Sequence, residues 1–345
     1  MSDILITTHW NHYLDRFKPE EQDIYFTEEY VRLYKNNGDS AECFIYREGE
    51  KFFLMSYVKR KINFIDEECF DFETAYGYGG PLCNVKDTLF VNKAFSAFES
   101  FAKQHKFVAG FIRFHPLMNN HQLLRDNYQI SFCRKTVFID LTLGEEEIWL
   151  KHVHSKHRNV IRKAQQTGLV YKVDEKLEHL DTFIRLYTQT MQRKCADDFY
   201  FFDETYFLNL KKCLQNNIFL GLIIYRDKII AASLFFHYGI YGHYHLSGRL
   251  EEYLHLCPNN LLIYRTALYL KKLGISYFHL GGGINGNSED SLYKFKKRFS
   301  KNESSLYIGK IIFDKELYGK ICSVWESQYP ERKDRYENIL LKYRC

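Results

Sequence analysis

The chain reads as an α/β protein of mixed, α+β-like character. It is built as two tandem units, each a mostly antiparallel mixed sheet flanked by helices. Three observations predict this. The 345 residues exceed what one ordinary core accommodates. A hydrophobic content of 46% supports full burial. The same order of strand and helix signals recurs in the two halves, with a period too long for a solenoid.

In the first half, residues 44–60 (FIYREGEKFFLMSYVKR) are two apolar runs around Arg-Glu-Gly-Glu, a hairpin signature. A helical pattern from Asn92 to His105 leads into a buried strand from Val108 to Phe114. The second half opens on a helix from Glu145 to Thr167, with carboxylates at its N-terminus and Gly168 as its stop. A strand follows over Leu169 to Val173, then helices over Leu180 to Arg193 and Glu204 to Leu214. Ile218 to His245 supplies three antiparallel strands, with a hairpin around Arg-Asp-Lys. Asn259 or Asn260 caps a helix that runs to Leu273, and Gly274 ends it. Strand Ile275 to Leu280, a short basic helix, strand Ser305 to Ile312 and helix Lys315 to Trp325 close the order. The junction falls near Thr136 to Leu143, which gives domains 1–140 and 141–345.

Composition narrows the class. No run approaches the ~20 apolar residues of a membrane span, and the first residues, MSDILITTHWNHY, lack a basic region followed by an apolar core. The nine cysteines form no Cys-x-x-Cys pair and point to reduced thiols and a cytoplasmic location. A net charge of +5 permits an anionic partner without demanding one. The 27 tyrosines and 29 phenylalanines must largely be core, although tyrosine also stacks on sugars and bases.

The segment richest in chemistry is His279-Leu280-Gly281-Gly282-Gly283 with the following SEDSLYKFKKRFS. A glycine turn lets backbone approach a ligand closely, and Lys294, Lys296, Lys297 and Arg298 follow within about one turn. Bare backbone beside cations suits a phosphorylated or carboxylated ligand. The alternative is a tight turn before a solvated helix. On the predicted helix starting at Glu145, Arg158 and Arg162 share a face at i,i+4, a spacing that can clamp a diphosphate; a charged outer face, with His154 and His157 on it, is the other reading. His243 and His245 alternate on one strand and point to one face, so His245 is a candidate general base or a structural histidine. His237, His243, His245 and His279 have no cysteine or carboxylate at metal-like spacing, and no metal is expected.

The second-half order is that of the Gcn5-related acyltransferase (GNAT) fold, in which two neighbouring strands splay and expose backbone to an acyl donor. The chain further resembles the Fem family of aminoacyl-tRNA-dependent peptidyltransferases and its FemAB-like relatives, which carry two tandem GNAT-type domains. The matching segments are Tyr76-Gly77-Tyr78-Gly79-Gly80-Pro81-Leu82, the basic helix Lys156 to Ala164, His245-Leu246-Ser247 through Pro258-Asn259-Asn260-Leu261-Leu262, and the glycine turn with Asp290-Ser291-Leu292 and Phe295-Lys296.

The resemblance implies that Lys296 lies by the reacting groups and stabilises negative charge. Ser247, Asn260, Gly281, Gly282, Gly283 and Lys297 are the further substrate-side candidates, with Lys297 either solvated or meeting a donor's phosphates. Tyr76, Tyr78, Gly79 and Gly80, with Arg113 and His115 at a strand end before Pro116, are candidates for the acceptor side of a cleft between the domains; the other reading of such strand-end groups is that they form turns. The chain departs from the patterns in three ways. Cys257-Pro258-Asn259-Asn260-Leu261 lacks the glycines of a coenzyme A pyrophosphate loop. The coiled-coil arm of some Fem members is missing. Leu82-Cys83-Asn84 stands where some carry an acidic residue after Gly-Pro.

The reading is therefore an acyltransferase with no tightly bound cofactor and with aminoacyl-tRNA or acyl-coenzyme A as co-substrate. The acceptor would be an amine of a phosphorylated, nucleotide-linked or lipid-linked envelope precursor, of peptidoglycan or polysaccharide type. A tRNA acceptor end is a further partner on this reading, and contact with a membrane surface is compatible with it. Two alternatives stand: an acetyl-coenzyme A-dependent N-acyltransferase of an amino sugar or nucleotide sugar, and an inactive pseudo-transferase that binds such precursors.

Overall fold

A computed structural model describes residues 2–124, 128–194, 197 and 200–345. In chain order its strands are β1 (Ser2–Thr7), β2 (Ser40–Glu48), β3 (Lys51–Lys61), β4 (Phe70–Glu73), β5 (Pro81–Cys83), β6 (Phe107–Arg113), β7 (Gln129–Asp140), β8 (Val170–Asp174), β9 (Ile218–Tyr225), β10 (Lys228–Tyr238), β11 (Tyr241–Arg249), β12 (Tyr277–Gly282) and β13 (Glu303–Ile312). The longer helices are α1 (Thr88–Gln104), α2 (Ser155–Gln166), α3 (Leu180–Arg193), α4 (Glu204–Leu214), α5 (Pro258–Lys272), α6 (Ser291–Lys297) and α7 (Lys315–Gln328). Two compact units form, Met1–Cys133 with Leu306–Cys345, and Arg134–Ser305. The chain crosses between them within β7 and again within β13. This differs from a division at 140/141: the last forty residues pack with the first unit, because Ile321, Cys322 and Trp325 of α7 bury against Val108 and Ala109 of β6. Among the described residues, no helix is long and apolar enough to cross a membrane.

In the first unit the strands run in the order β1-β2-β3-β4-β6-β13, with β5 beside β3. The β2–β3 hairpin closes on Gly49, whose positive φ suits the turn between Glu48 and Lys51. The Asp87 carboxylate accepts from the Phe90 amide and caps α1. That helix lays Phe90, Phe95 and Phe98 onto Phe44, Phe53, Tyr57 and Phe72, so much of the aromatic excess is core.

In the second unit the order is β7-β12-β11-β10-β9-β8. Arg226 and Asp227 both take positive φ in the β9–β10 turn, which brings Tyr225 opposite Lys228. Each unit contains an antiparallel meander, a helix and a strand that returns parallel to the last meander strand: β4 beside β6, and β11 beside β12. Helices α2 and α5 and the end of α6 share a core with Phe235 and Phe278. On the other face α3 packs against β10 and β11. It rests on bare backbone: a Cβ on Gly248 would lie 2.3 Å from the Leu186 carbonyl carbon.

Two local expectations are corrected. The helix expected from Glu145 to Thr167 is broken. A π-helical turn, Ile148–His152, ends at an extended Val153, and α2 restarts with the His154 ring accepting from the Lys156 amide. The cap of α5 is neither Asn259 nor Asn260 but Cys257, in the left-handed region with Pro258 as the first helical residue; both asparagines are buried in the first turn.

Candidate functional site

The second unit parts along one seam. The parallel strands β11 and β12 pair only from Tyr241 opposite Tyr277 to His243 opposite His279. Beyond that point β11 continues to Arg249 against β10, and β12 continues to Gly282 against β7. Each strand keeps its outer neighbour and leaves its inner edge, so backbone donors and acceptors face the gap between them.

The three glycines at the end of β12 each make room for a different side chain. A Cβ on Gly281, whose φ is +76°, would sit 3.2 Å from the Lys296 Nζ. On Gly282 it would meet the Arg134 Cδ at 3.0 Å and the Lys135 carbonyl at 2.7 Å. On Gly283 it would meet the Asp290 carboxylate at 2.5 Å. The corner is thus a packed junction of two cations and one anion on bare backbone.

Lys296 is the centre of this junction. It belongs to α6, where the Asp290 carboxylate accepts from the Tyr293 amide as the cap and from the Ile284 amide to fold the preceding loop. The Lys296 side chain is buried; its amine donates to the Gly282 carbonyl at 2.8 Å and lies 5.8 Å from the Tyr244 ring centre on β11. The amine therefore reaches from one separated strand to the other. Burial pulls its pKa down to about 7; Asp290 opposes the shift, while Arg134 and Lys194 reinforce it. An amine titrating near neutral pH can exchange protons or present a charge.

His245 sits on the opposite face. Leu234 pairs with Leu246 and Phe235 with Tyr244, so His245 is the extra residue of a bulge. Its ring packs 4.4 Å from Phe236, and its Nε2 lies 3.0 Å from the Tyr206 hydroxyl. Tyr244, by contrast, packs on Phe235. Adjacent residues of β10 point to opposite faces, so His245 and Lys296 approach the seam from its two sides. Burial, then neighbouring His243, lowers the His245 pKa to about 3. The imidazole is neutral at ordinary pH and a weak proton acceptor.

Ser247 lies on β11 past the parting, where its hydroxyl accepts from Ser233 at 2.8 Å and from the Asn259 amide at 3.0 Å. The Asn259 side-chain Oδ1 is buried and has no partner among the described residues. Asn260 is its buried neighbour in α5. Lys297 pairs with Glu303 at 2.9 Å and donates to the Lys301 carbonyl, which commits most of its charge locally.

The two arginines of α2 form no clamp. A single Arg158 nitrogen, Nη1, donates to the carbonyls of Trp149, Leu150 and Val153 and closes the π-helical break. Arg162 is exposed, 5.3 Å from the Trp149 ring centre. His157 is not on an outer face either. It is buried against Phe295 and Phe299, and burial lowers its pKa to about 4.

In the first unit, Tyr76, Tyr78, Gly79 and Gly80 form a packed loop. The Tyr76 carbonyl accepts from the Tyr30 hydroxyl, Tyr78 packs edge-on to Tyr25, and the Asn120 amide donates to the Gly79 carbonyl at 2.8 Å. Arg113 lies 3.7 Å from Glu73 and over the Phe111 ring. His115, buried, accepts from the Met118 amide at Nδ1, which leaves its proton on Nε2, 2.7 Å from the Asp23 carboxylate.

Sequence reasoning missed Arg134, Asn259 and Tyr206. Arg134 contacts residues 149 and 150 positions away, which no local pattern reveals. Asn259 stands in the sequence as a cap candidate and within the Fem-like segment, with no site role assigned to it.

Residues 151–297 match the acetyltransferase (GNAT) domain family. No curated protein matches the chain by sequence. Solved structures share its fold. The crystal structure of FemX has a TM-score of 0.72 at 15% identity, over 92% of this chain and 99% of that one. The C-terminal domain of a putative lysylphosphatidylglycerol synthetase from Agrobacterium fabrum has a TM-score of 0.54 at 11% identity, over 93% and 94%. A tandem GNAT protein from the clavulanic acid biosynthesis pathway has a TM-score of 0.53 at 6% identity, over 91% and 99%.

Proposed function

We propose that this GNAT-type acyltransferase, whose fold is that of FemX, moves an acyl or aminoacyl group onto an amine of a cell-envelope precursor. The observation that carries the reading is the parting of β11 and β12 after His243 and His279, with the Lys296 amine spanning the opening. Backbone groups of the two inner edges would hold an amide-bearing donor. The acceptor amine would approach from the face of His245 and Tyr206. Its nitrogen forms the new C–N bond, the carrier's C–O or C–S bond breaks, and the proton lost by the amine passes through Lys296 to the departing oxygen or sulfur. In its charged form Lys296 would stabilise the oxyanion of the tetrahedral intermediate. The envelope precursor as acceptor rests on the Fem-like motifs; the putative lysylphosphatidylglycerol synthetase among the fold relatives is compatible with it.

Acyl-coenzyme A as donor is the second reading. The GNAT domain match and the buried Asn259 side-chain Oδ1, without a partner among the described residues and suited to a donor carrying an amide N–H, both favour it. The glycine-free start of α5 stands against it. A donor screen separates the cases. Purified protein is incubated with acyl-coenzyme A or aminoacyl-tRNA and a panel of nucleotide-linked amino sugars and wall precursors, and products are detected by mass. An amide product that disappears in Lys296→Met supports the proposal. Stabilisation by millimolar coenzyme A would identify the carrier by mass action. No product with any donor, together with undisturbed cellular function in Lys296→Met, would leave the inert binding protein as the answer.

A further inference from the structure

The glycine corner holds a second cation whose role the proposed reaction leaves open. Arg134, at the start of the second unit, lays its stem across Gly282, the residue whose carbonyl receives the Lys296 amine. Its Nη1 then donates to the next two carbonyls, those of Gly283 and Ile284, both at 2.9 Å. Two cationic side chains from distant parts of the chain thus hold three successive carbonyls. Glycine at 282 permits this close approach: a Cβ there would fall 2.7 Å from the Lys135 carbonyl oxygen, which is backbone, and 3.0 Å from the Arg134 Cδ.

The guanidinium is only partly used by these bonds. Its Nε is buried and has no partner among the described residues. Asp290, the acidic group acting on Lys296, is already engaged by the amides of Ile284 and Tyr293. The charged groups acting on the Lys296 amine are therefore Asp290 on one side and Arg134 and Lys194 on the other. A guanidinium retains its charge throughout the accessible pH range, so Arg134 acts as a fixed charge where Lys296 is a variable one.

We propose that Arg134 is a positioning residue for Lys296: it clamps the carbonyls that follow Gly282, and its permanent charge disfavours a second cation beside it. The amine is thereby aimed across the seam and kept ready to give and take a proton. The consequence for function rests on the reading of Lys296 given above, but the coupling between the two side chains does not.

The test uses Arg134→Lys, Arg134→Gln and Arg134→Met in the full chain, each checked for a cooperative thermal transition. Selectively 13Cε-labelled lysine reports the Lys296 titration by NMR, with the resonance assigned by its loss in Lys296→Met. Loss of the charge in Arg134→Gln and Arg134→Met should raise the Lys296 midpoint by about half a pH unit or more, a threefold or larger change in proton affinity. Arg134→Lys should leave it within a few tenths of the wild-type value. An unmoved midpoint in the folded Gln and Met variants would overturn the proposal, as would an equal shift in all three. If the midpoint moves while no acyl transfer is found with any donor, the coupling stands and the proposed function falls. Should transfer be found, its pH profile is expected to follow the NMR midpoint across the three variants.

Discussion

The buried amine of Lys296 ties stability to pH in a way that can be calculated and measured. Its folded pKa, about 7, lies below the ordinary lysine value of 10.5. Between those limits the unfolded chain binds more protons than the folded one, so stability rises with pH through this window and is lowest below pH 7. At ~1.4 kcal/mol for each tenfold change in proton affinity, the full span is worth roughly 5 kcal/mol. Lys296→Met keeps the length and removes the charge. It also deletes the bond to the Gly282 carbonyl, worth about 1 kcal/mol. The variant should therefore be more stable than wild type by about 3 to 4 kcal/mol at pH 6. Between pH 6 and pH 9 the wild type should regain about 3 kcal/mol relative to it. Denaturant unfolding followed by tryptophan fluorescence at pH 6, 7.5 and 9 measures the difference. If the two curves stay a constant distance apart across that range, the amine does not titrate near neutrality and the argument for its poised state fails.

The remaining expectations concern single positions. His245→Gln should lower turnover by less than tenfold, since an imidazole with a pKa of about 3 is a weak base; a loss of a hundredfold or more would restore it as the proton acceptor. Gly248→Ala forces a methyl into the backbone of α3 and should destabilise the chain by ~3 kcal/mol or more, read from the shift in denaturation midpoint; an unchanged midpoint would mean that α3 does not rest on β11 as described. Asp23→Ala leaves the buried His115 Nε2 and the Ile24 amide without their carboxylate and should cost ~2 to 3 kcal/mol. A loss of under 0.5 kcal/mol there would show that water replaces the carboxylate.

Much of the fold was legible because its signals are local. The Glu48-to-Lys51 and Tyr225-to-Lys228 turns, the stops at Gly168 and Gly274 and the short basic helix after the glycine corner depend on residues within a turn or two of one another. The expectations that failed involved distant partners. The carbonyls freed where the helix after Glu145 breaks are held by Arg158 from the next helix, so a continuous periodic pattern hides an interruption. The bulge at His245 was not legible in the sequence, because it depends on the register of β10 against β11; the shared face expected for His243 and His245 is kept, Phe236 pairing with the first and packing on the second.

The residues alone determined the repeated strand and helix order, the glycine corner and the lysine helix that follows it, because periodicity and turn chemistry act between near neighbours. Only the folded chain decided what the corner holds. Lys296 from the following helix, Arg134 from almost 150 residues earlier and Asp290 from the loop each occupy the space of one absent Cβ. Their convergence depends on how β12 lies between β7 and β11, and therefore on hydrogen-bond register and burial across the whole sheet of this unit. Burial among those neighbours brings an ordinary surface cation type close to neutrality.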